Sequence, residues 1–292
     1  MPKTLKLLMA QINPTVGAID ANAEKIIDLI KKHQSTHDAI IFPELALTGY
    51  PPEDLLFRSE FFHQVDEALK RIQAHSQNCH VILGHPSHEK SMIYNSASVF
   101  FEEQRITLYH KQHLPNDGVF DEMRYFTKGD NDLCLFTIKG FLIGLCICED
   151  LWHPGPVDQI IDAHADLLFC INASPFDEHK PSRREALLHR YAKRGIAIIY
   201  VNQVGGQDEL VFDGQSLAFD AQGTLCVRSK AFEEDLTTVT VHDRKLMGEI
   251  SLPMPREAMI YRALVCGLKS YIEKNHFYIL DREKLLNYFN QS

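Results

Sequence analysis

The chain has 292 residues, 45% of them hydrophobic and 24% charged, with a formal net charge of −9. This is the composition of an ordinary folded chain, long enough to bury a large core. A negative balance without a basic run argues against nucleic acid or an anionic membrane as partner, and no apolar run approaches membrane-spanning length.

Seven scattered cysteines, with no Cys-x-x-Cys pair among them, predict free thiols in a reducing compartment, by default the cytoplasm. The first residues, from Met1 to Lys6, carry no signal-peptide core.

In chain order, residues 5–12 predict a strand broken at Asn13-Pro14. Asp20 is placed to cap a helix that carries Ile26, Ile27 and Ile30 at helical spacing and lysines at its far end. Residues 39–42 predict a second buried strand running into Pro43-Glu44, and residues 48–52 a loop. Ser59 is expected to cap a helix reaching about Ala74, before a third strand over 80–84. Residues 96–101 and 105–110 predict adjacent strands around a turn at 102–104. A loop rich in Pro, Asn, Asp and Gly follows over 115–124. Residues 133–138 and 141–147 predict a hairpin over Lys139-Gly140. A helix over 157–165, a strand over 167–171, a loop over 172–182, a helix over 183–194 and a strand over 196–201 come next. A hairpin of 216–219 with 225–229 and a last strand over 236–241 complete the pattern. Strands alternating with helices and hairpins predict an α/β domain with mixed sheets. No linker divides residues 4–242, so 1–255 reads as one domain. Pro253 and Pro255 set off a helix over 256–275 and an extension to 292.

The run from Phe141 to Ile147 reads as a strand buried on both faces. It opens into Cys148-Glu149-Asp150, and Trp152-His153-Pro154-Gly155-Pro156 then turns the chain. A buried free cysteine is ordinarily a small hydrophobe, which suits Cys146 inside the run. Cys148 stands at the strand's end, where a nucleophile is exposed to a ligand and held by rigid backbone. Glu149 and Asp150 would raise its pKa, so activation has to come from a cation or base elsewhere. None of the fifteen histidines has a motif context that marks it as that base. His85/His88 and His110/His113 share His-x-x-His spacing, but two ligands without a matching Cys or carboxylate do not make a metal site. Glu44 and Lys111 each sit, like Cys148, where an apolar strand runs out into a loop. Either one alone reads as a solvated charge. Together they supply a base for the thiol and a cation for an oxyanion, at the sheet end where ligands collect.

With these residues in place, the sequence resembles the nitrilase-like carbon–nitrogen hydrolases, which use a Glu-Lys-Cys triad. The resemblance rests on Phe42-Pro43-Glu44-Leu45, Lys111-Gln112-His113-Leu114-Pro115 and Cys148-Glu149-Asp150. Within that family it is most similar to the glutaminase domains of glutamine-dependent NAD+ synthetases. The marks are the stretch from Leu47 to Leu56, Leu114-Pro115-Asn116 with Val119-Phe120-Asp121-Glu122, the stretch from Ile147 to Trp152, and Asn172-Ala173-Ser174-Pro175-Phe176. The resemblance covers residues 4 to about 277. It implies a four-layer α-β-β-α sandwich of two mixed sheets. It makes Glu44 the base, Lys111 the oxyanion stabiliser, Cys148 the nucleophile and Glu122 an additional active-site carboxylate, with the Glu149 backbone N–H in the oxyanion hole. Glu149, Ser174 and Lys180 fall where related domains hold the amino acid part of glutamine. Asp117 stands where relatives commonly carry an aromatic residue over the substrate.

The implied activity is release of ammonia from glutamine through a glutamyl-thioester, as the ammonia-supplying part of NAD+ biosynthesis. Two alternatives stand beside it: a free-standing hydrolase of another small amide or a nitrile, and a non-catalytic partner subunit of a synthetase. The sequence has no Ser-Gly-Gly-x-Asp-Ser phosphate loop, so no cofactor is expected in this chain. ATP and magnesium would enter only with a separate synthetase domain. The resemblance also implies a homodimer or higher homo-oligomer.

Overall fold

Alternation in β1 (Thr4–Gln11) puts Leu5, Leu7 and Met9 on one face and Leu8 and Ala10 on the other, and all five are buried. A strand apolar on both faces must lie inside a layered structure. The computed structural model describes residues 3–130, 133–243 and 245–276. The end of the predicted extension, 277–292, lies outside the described residues.

From β1 the chain passes through α1 (Ile19–His33) to β2 (Ala39–Ile41), then through α2 (Ser59–Gln73) to β3 (His80–Glu89). These three strands are parallel neighbours. An antiparallel meander of β4 (Met92–Phe101) and β5 (Gln104–His110) extends the sheet on β3. A short helix α3 (Glu122–Tyr125) precedes the hairpin of β6 (Leu135–Ile138) and β7 (Phe141–Ile147). Then come α4 (Pro156–Asp162), β8 (Leu167–Asn172), α5 (Lys180–Ala192) and β9 (Ala197–Asn202), with β7, β8 and β9 parallel. The hairpin of β10 (Val204–Gln207) and β11 (Leu210–Asp213) stands apart from both large sheets. β12 (Leu217–Phe219) and β13 (Leu225–Arg228) extend the second sheet. β14 (Asp235–His242) returns to pair with β1, β15 (Lys245–Met247) pairs with β14, and α6 (Arg256–Lys274) follows. Among the described residues, the first sheet runs β15-β14-β1-β2-β3-β4-β5 and the second β13-β12-β9-β8-β7-β6.

Three cores separate four layers. Ile26, Ile27 and Ile30 of α1 and Val65 and Ile72 of α2 close over the outer face of the first sheet. Leu7, Met9 and Ile41 meet Ile143, Leu145, Phe169 and Ile199 between the sheets. Leu187, Leu188 and Ile160 cover Cys146, Leu168 and Tyr200 on the far side. Each fully buried Leu, Ile or Val contributes roughly 1.5–3 kcal/mol to that stacking. The result is the α-β-β-α sandwich of two mixed sheets that the resemblance implies. Among the described residues, no helix is long and apolar enough to cross a membrane, and all seven cysteines are free.

Several local expectations change. Asp20 does not cap α1: it lies in the first turn and accepts from Arg71 Nη1 at 2.8 Å, while Ala18 precedes the helix. Ser59 is the first residue of α2 rather than its cap. Pro181, favourable in a first helical turn, lets α5 begin at Lys180, three residues before the predicted start. β3 runs on through Pro86 to Glu89, because β2 pairs with it only over His80–Ile82 and its far half has a free side that tolerates proline. The β10–β11 hairpin went unpredicted because Gly205-Gly206 weakens its strand signal. Those glycines serve packing: a Cβ on Gly206 would stand 2.9 Å from the Gly267 Cα of α6. α6 is fastened there by Gly206 N–H donating to Ser270 Oγ at 2.9 Å and by Lys274 Nζ donating to the Pro14 and Gly206 carbonyls.

Candidate active site

Pro43 ends the β2 ladder, and the turn behind it delivers Glu44 to the carboxyl edge of the first sheet. The turn is tight: Leu45 adopts φ +47°. It lies directly against Gly84 of β3, where an added Cβ would stand 2.4 Å from Leu45 N and 2.6 Å from Glu44 Cα. Only glycine permits that approach. The Glu44 carboxylate is fully buried. Its Oε1 accepts from Asn95 Nδ2 at 2.8 Å and its Oε2 from the Ala173 backbone N–H at 2.8 Å. One carboxylate therefore ties the first sheet to the loop after β8.

Lys111 leaves the end of β5 with its backbone N–H on the Asn95 carbonyl at 2.8 Å. Its side chain is 1% exposed. Nζ donates to Glu44 Oε1 at 2.7 Å and to Glu122 Oε1 and Oε2 at 2.8 and 2.9 Å. Burial works against the ammonium, but Glu122 and Glu44 more than offset it and hold its pKa well above the usual lysine range. Glu122, on α3, also accepts from the Tyr50 hydroxyl at 2.9 Å. Burial, with Glu44 adding to it, pushes the Glu122 carboxyl up to about 7 against the pull of Lys111.

Cys148 begins the 3-10 turn Cys148–Leu151 with φ +44°, a strained value for a non-glycine residue. Strand alternation alone would send it to the outer side with Cys146. Instead its side chain joins the core between the sheets. Burial raises the thiol well above its ordinary pKa, and Glu44 raises it further. Lys111 pulls it down, and Glu149 adds a smaller push upward. The resting group is therefore a neutral thiol beside a carboxylate and an ammonium. Such an arrangement can deprotonate the thiol as it attacks and stabilise the charge that appears on the substrate.

Asp150 has a different part from the one its sequence position implied. It is fully buried, and Oδ1 accepts the backbone N–H groups of Gln112 and His113 at 3.0 and 2.8 Å. Oδ2 accepts from Tyr109 Oη at 2.8 Å and from the Ile147 N–H at 3.1 Å. Asp150 thus clamps the Lys111 loop to the Cys148 turn. Burial raises its carboxyl to about 6.

The residues that the resemblance assigns to substrate are spread around this centre. Ser174 is buried, with its N–H on Asn202 Oδ1 at 2.9 Å. Glu149 is partly exposed, its Oε1 2.9 Å from His153 Nε2. Lys180 opens α5 with its ammonium over the Trp152 ring. Asp117 is exposed on the loop leading to α3, where its carbonyl accepts the Phe120 N–H. Each His-x-x-His pair divides between different partners: His85 is held to Ser98 Oγ at 2.8 Å while His88 lies against Phe62, and His110 stacks on Tyr94 while His113 stacks on His153.

Tyr50, Asn95 and the clamping role of Asp150 were missed from sequence. Asn95 lies on β4 just before the predicted start of that strand, and nothing in its neighbourhood marks it. Tyr50 sits in a predicted loop. Asp150 had a signal, a carboxylate directly after a buried apolar strand and before Leu151-Trp152, which must find partners when buried.

The raised Glu122 pKa sets a pH dependence. The folded protein holds this proton more tightly than the unfolded chain, so the contribution is fully present below about 4.5 and is lost as pH rises through about 7. Between those limits wild type is expected to lose about 3 kcal/mol relative to Glu122→Gln, read from denaturant midpoints across the range. Parallel curves for the two proteins would place the titration elsewhere.

The chain matches the family described as carbon-nitrogen hydrolase over residues 7–250. It is 41% identical over 283 residues to the glutamine-dependent NAD(+) synthetase of Xanthomonas campestris pv. campestris, covering 94% of this chain and 51% of that protein. The Aquifex aeolicus protein of the same name is 37% identical over 311 residues, with 94% and 54% covered. Among solved structures, the glutamine-dependent NAD+ synthetase of Acinetobacter baumannii aligns with TM-score 0.89 at 35% identity, covering 93% of this chain and 52% of that one. An amidase from Nesterenkonia sp. shares the fold with TM-score 0.75 at 21% identity, covering 82% and 91%. The chain spans about half the length of the curated relatives it matches.

Proposed function

We propose, because this chain belongs to the carbon–nitrogen hydrolase family, that it hydrolyses the side-chain amide of glutamine to glutamate and ammonia, with Cys148 as nucleophile, Glu44 as base and Lys111 as oxyanion stabiliser. The observation that carries the reading is the buried Lys111 ammonium, 2.7 Å from Glu44 and 2.8 Å from Glu122, beside a neutral thiol on a strained turn.

In this reading Cys148 Sγ attacks the amide carbon while its proton passes to Glu44. Lys111 Nζ and the Glu149 backbone N–H hold the oxyanion. Glu44 returns the proton to the departing nitrogen, and ammonia leaves a thioester on Cys148. A water molecule, deprotonated by Glu44, then attacks the thioester carbon and releases glutamate with the thiol restored. Glu122 keeps Lys111 in place and charged. Glu149 would meet the α-ammonium of the substrate, and Ser174 and Lys180 its α-carboxylate. Asp117 belongs to the rim of the substrate entrance. The reaction draws on side chains and water alone. ATP and magnesium belong to the synthetase domain that would consume the ammonia, and the setting is a reducing cytoplasm. The high identity to the synthetase relatives supports glutamine over another amide.

α6 exposes Tyr261, Leu264 and Leu268, and there we place contact with the synthetase part. Assembly into a homodimer or higher oligomer follows from the same resemblance. Ammonia release from glutamine, measured with and without an added synthetase domain, tests the proposal. The expected result is slow release alone and faster release with the domain. Full turnover unchanged by any synthetase would favour a free-standing amidase. No release under either condition, with Cys148 intact, would favour a non-catalytic subunit.

A further inference from the structure

Trp152 is the meeting point of two cations. It directly follows the Cys148–Leu151 turn, and its backbone N–H donates to the Glu149 carbonyl at 2.9 Å. Part of the side chain packs on the core beneath α4 and α5, which fixes its position relative to the thiol. From the first turn of α5, Lys180 Nζ stands 4.7 Å from the ring centroid and Arg183 Cζ 5.6 Å. Both distances are within cation–π reach.

Two details set this apart from an ordinary surface contact. Among the described residues, neither cation has a carboxylate within ion-pair distance, although the neighbouring His179 and Arg184 each have one. The first turn of α5 also holds no acidic residue. Cations there oppose the helix dipole, so helix stability does not account for them. The loop that leads into this turn is the one whose Ala173 N–H holds Glu44. Asp177 Oδ1 accepts the backbone N–H groups of His179 and Lys180 at 2.7 and 2.9 Å, but it pairs with neither cationic head group. Two side-chain cations without an ion-pair partner among the described residues thus gather on the one aromatic ring that directly follows the Cys148–Leu151 turn.

We propose that Trp152 is a positioning residue whose ring holds Lys180 and Arg183 at the rim of the Cys148 site, so that the two cations together select amides with an anionic end. The inference rests on the amide-hydrolase reading above. It adds Trp152 and Arg183 to the groups that decide which amide is taken. The ring does not touch the reacting atoms, so its effect belongs in KM and not in kcat.

The test uses three substrates. Glutaramate is glutamine without its α-ammonium, and butyramide lacks the carboxylate as well. Trp152→Leu is expected to raise KM for glutamine and glutaramate roughly tenfold, the scale of losing one partly desolvated cation–π contact. Their kcat should stay within twofold, and butyramide kinetics should not change. Trp152→Phe, which keeps a π face, should recover most of the loss. An equal change for butyramide, or unchanged KM for glutaramate, overturns the proposal and leaves the amidase reading standing. If wild type releases ammonia from none of the three, the amidase reading fails instead. The positioning role is then decided by calorimetry: glutamate is expected to bind wild type roughly tenfold more tightly than Trp152→Leu, and equal binding overturns it.

Discussion

Cys148→Ala is expected to release no ammonia from glutamine while melting within a few degrees of wild type. The substitution removes the only thiol that faces Glu44 and Lys111 among the described residues, and it sits on a turn at the sheet edge, where little volume is lost. Cys146→Ala is the control two residues away. Cys146 is fully buried against α4 and α5, so its loss opens a small cavity costing roughly 1–3 kcal/mol and leaves turnover near wild type. The two variants separate an effect on chemistry from an effect on folding. Exchange of their behaviours would reverse the assignment of the nucleophile.

Lys111→Met is expected to lower turnover at least ~100-fold, the scale of removing one oxyanion donor, and to destabilise the fold as well. Without the ammonium, Glu44 and Glu122 face each other in a site where neither is more than 4% exposed. Removing one member of a buried charge group typically costs about 3–5 kcal/mol, because the partners left behind are uncompensated. Glu44→Gln should lose turnover to the same extent but less stability, since Glu122 remains as counter-ion to Lys111. Ammonia-release kinetics and denaturant melts on both variants check this. Turnover within tenfold of wild type in either one would reject the triad.

The apolar runs over 5–12, 39–42 and 141–147 and the helical spacing of Ile26, Ile27 and Ile30 determine buried strands and one-sided helices, because the order of apolar residues along the chain displays which faces are buried. Three strand ends carrying Glu44, Lys111 and Cys148 are legible for the same reason: each is a polar residue at the point where an apolar run stops. Their meeting is not legible. Glu44 and Cys148 come from different sheets, and only the stacking of the two brings them to one place. The side on which Cys148 lies was likewise decided by tertiary structure. Strand alternation would have buried it with Cys146, and the φ of +44° imposed by the turn that Asp150 clamps carries it to the inter-sheet side. Asn95, Tyr50 and the clamp itself escape the sequence because a hydrogen bond across 51, 72 or 38 residues leaves no periodic trace. It exists only once the layers have brought the partners within 3 Å.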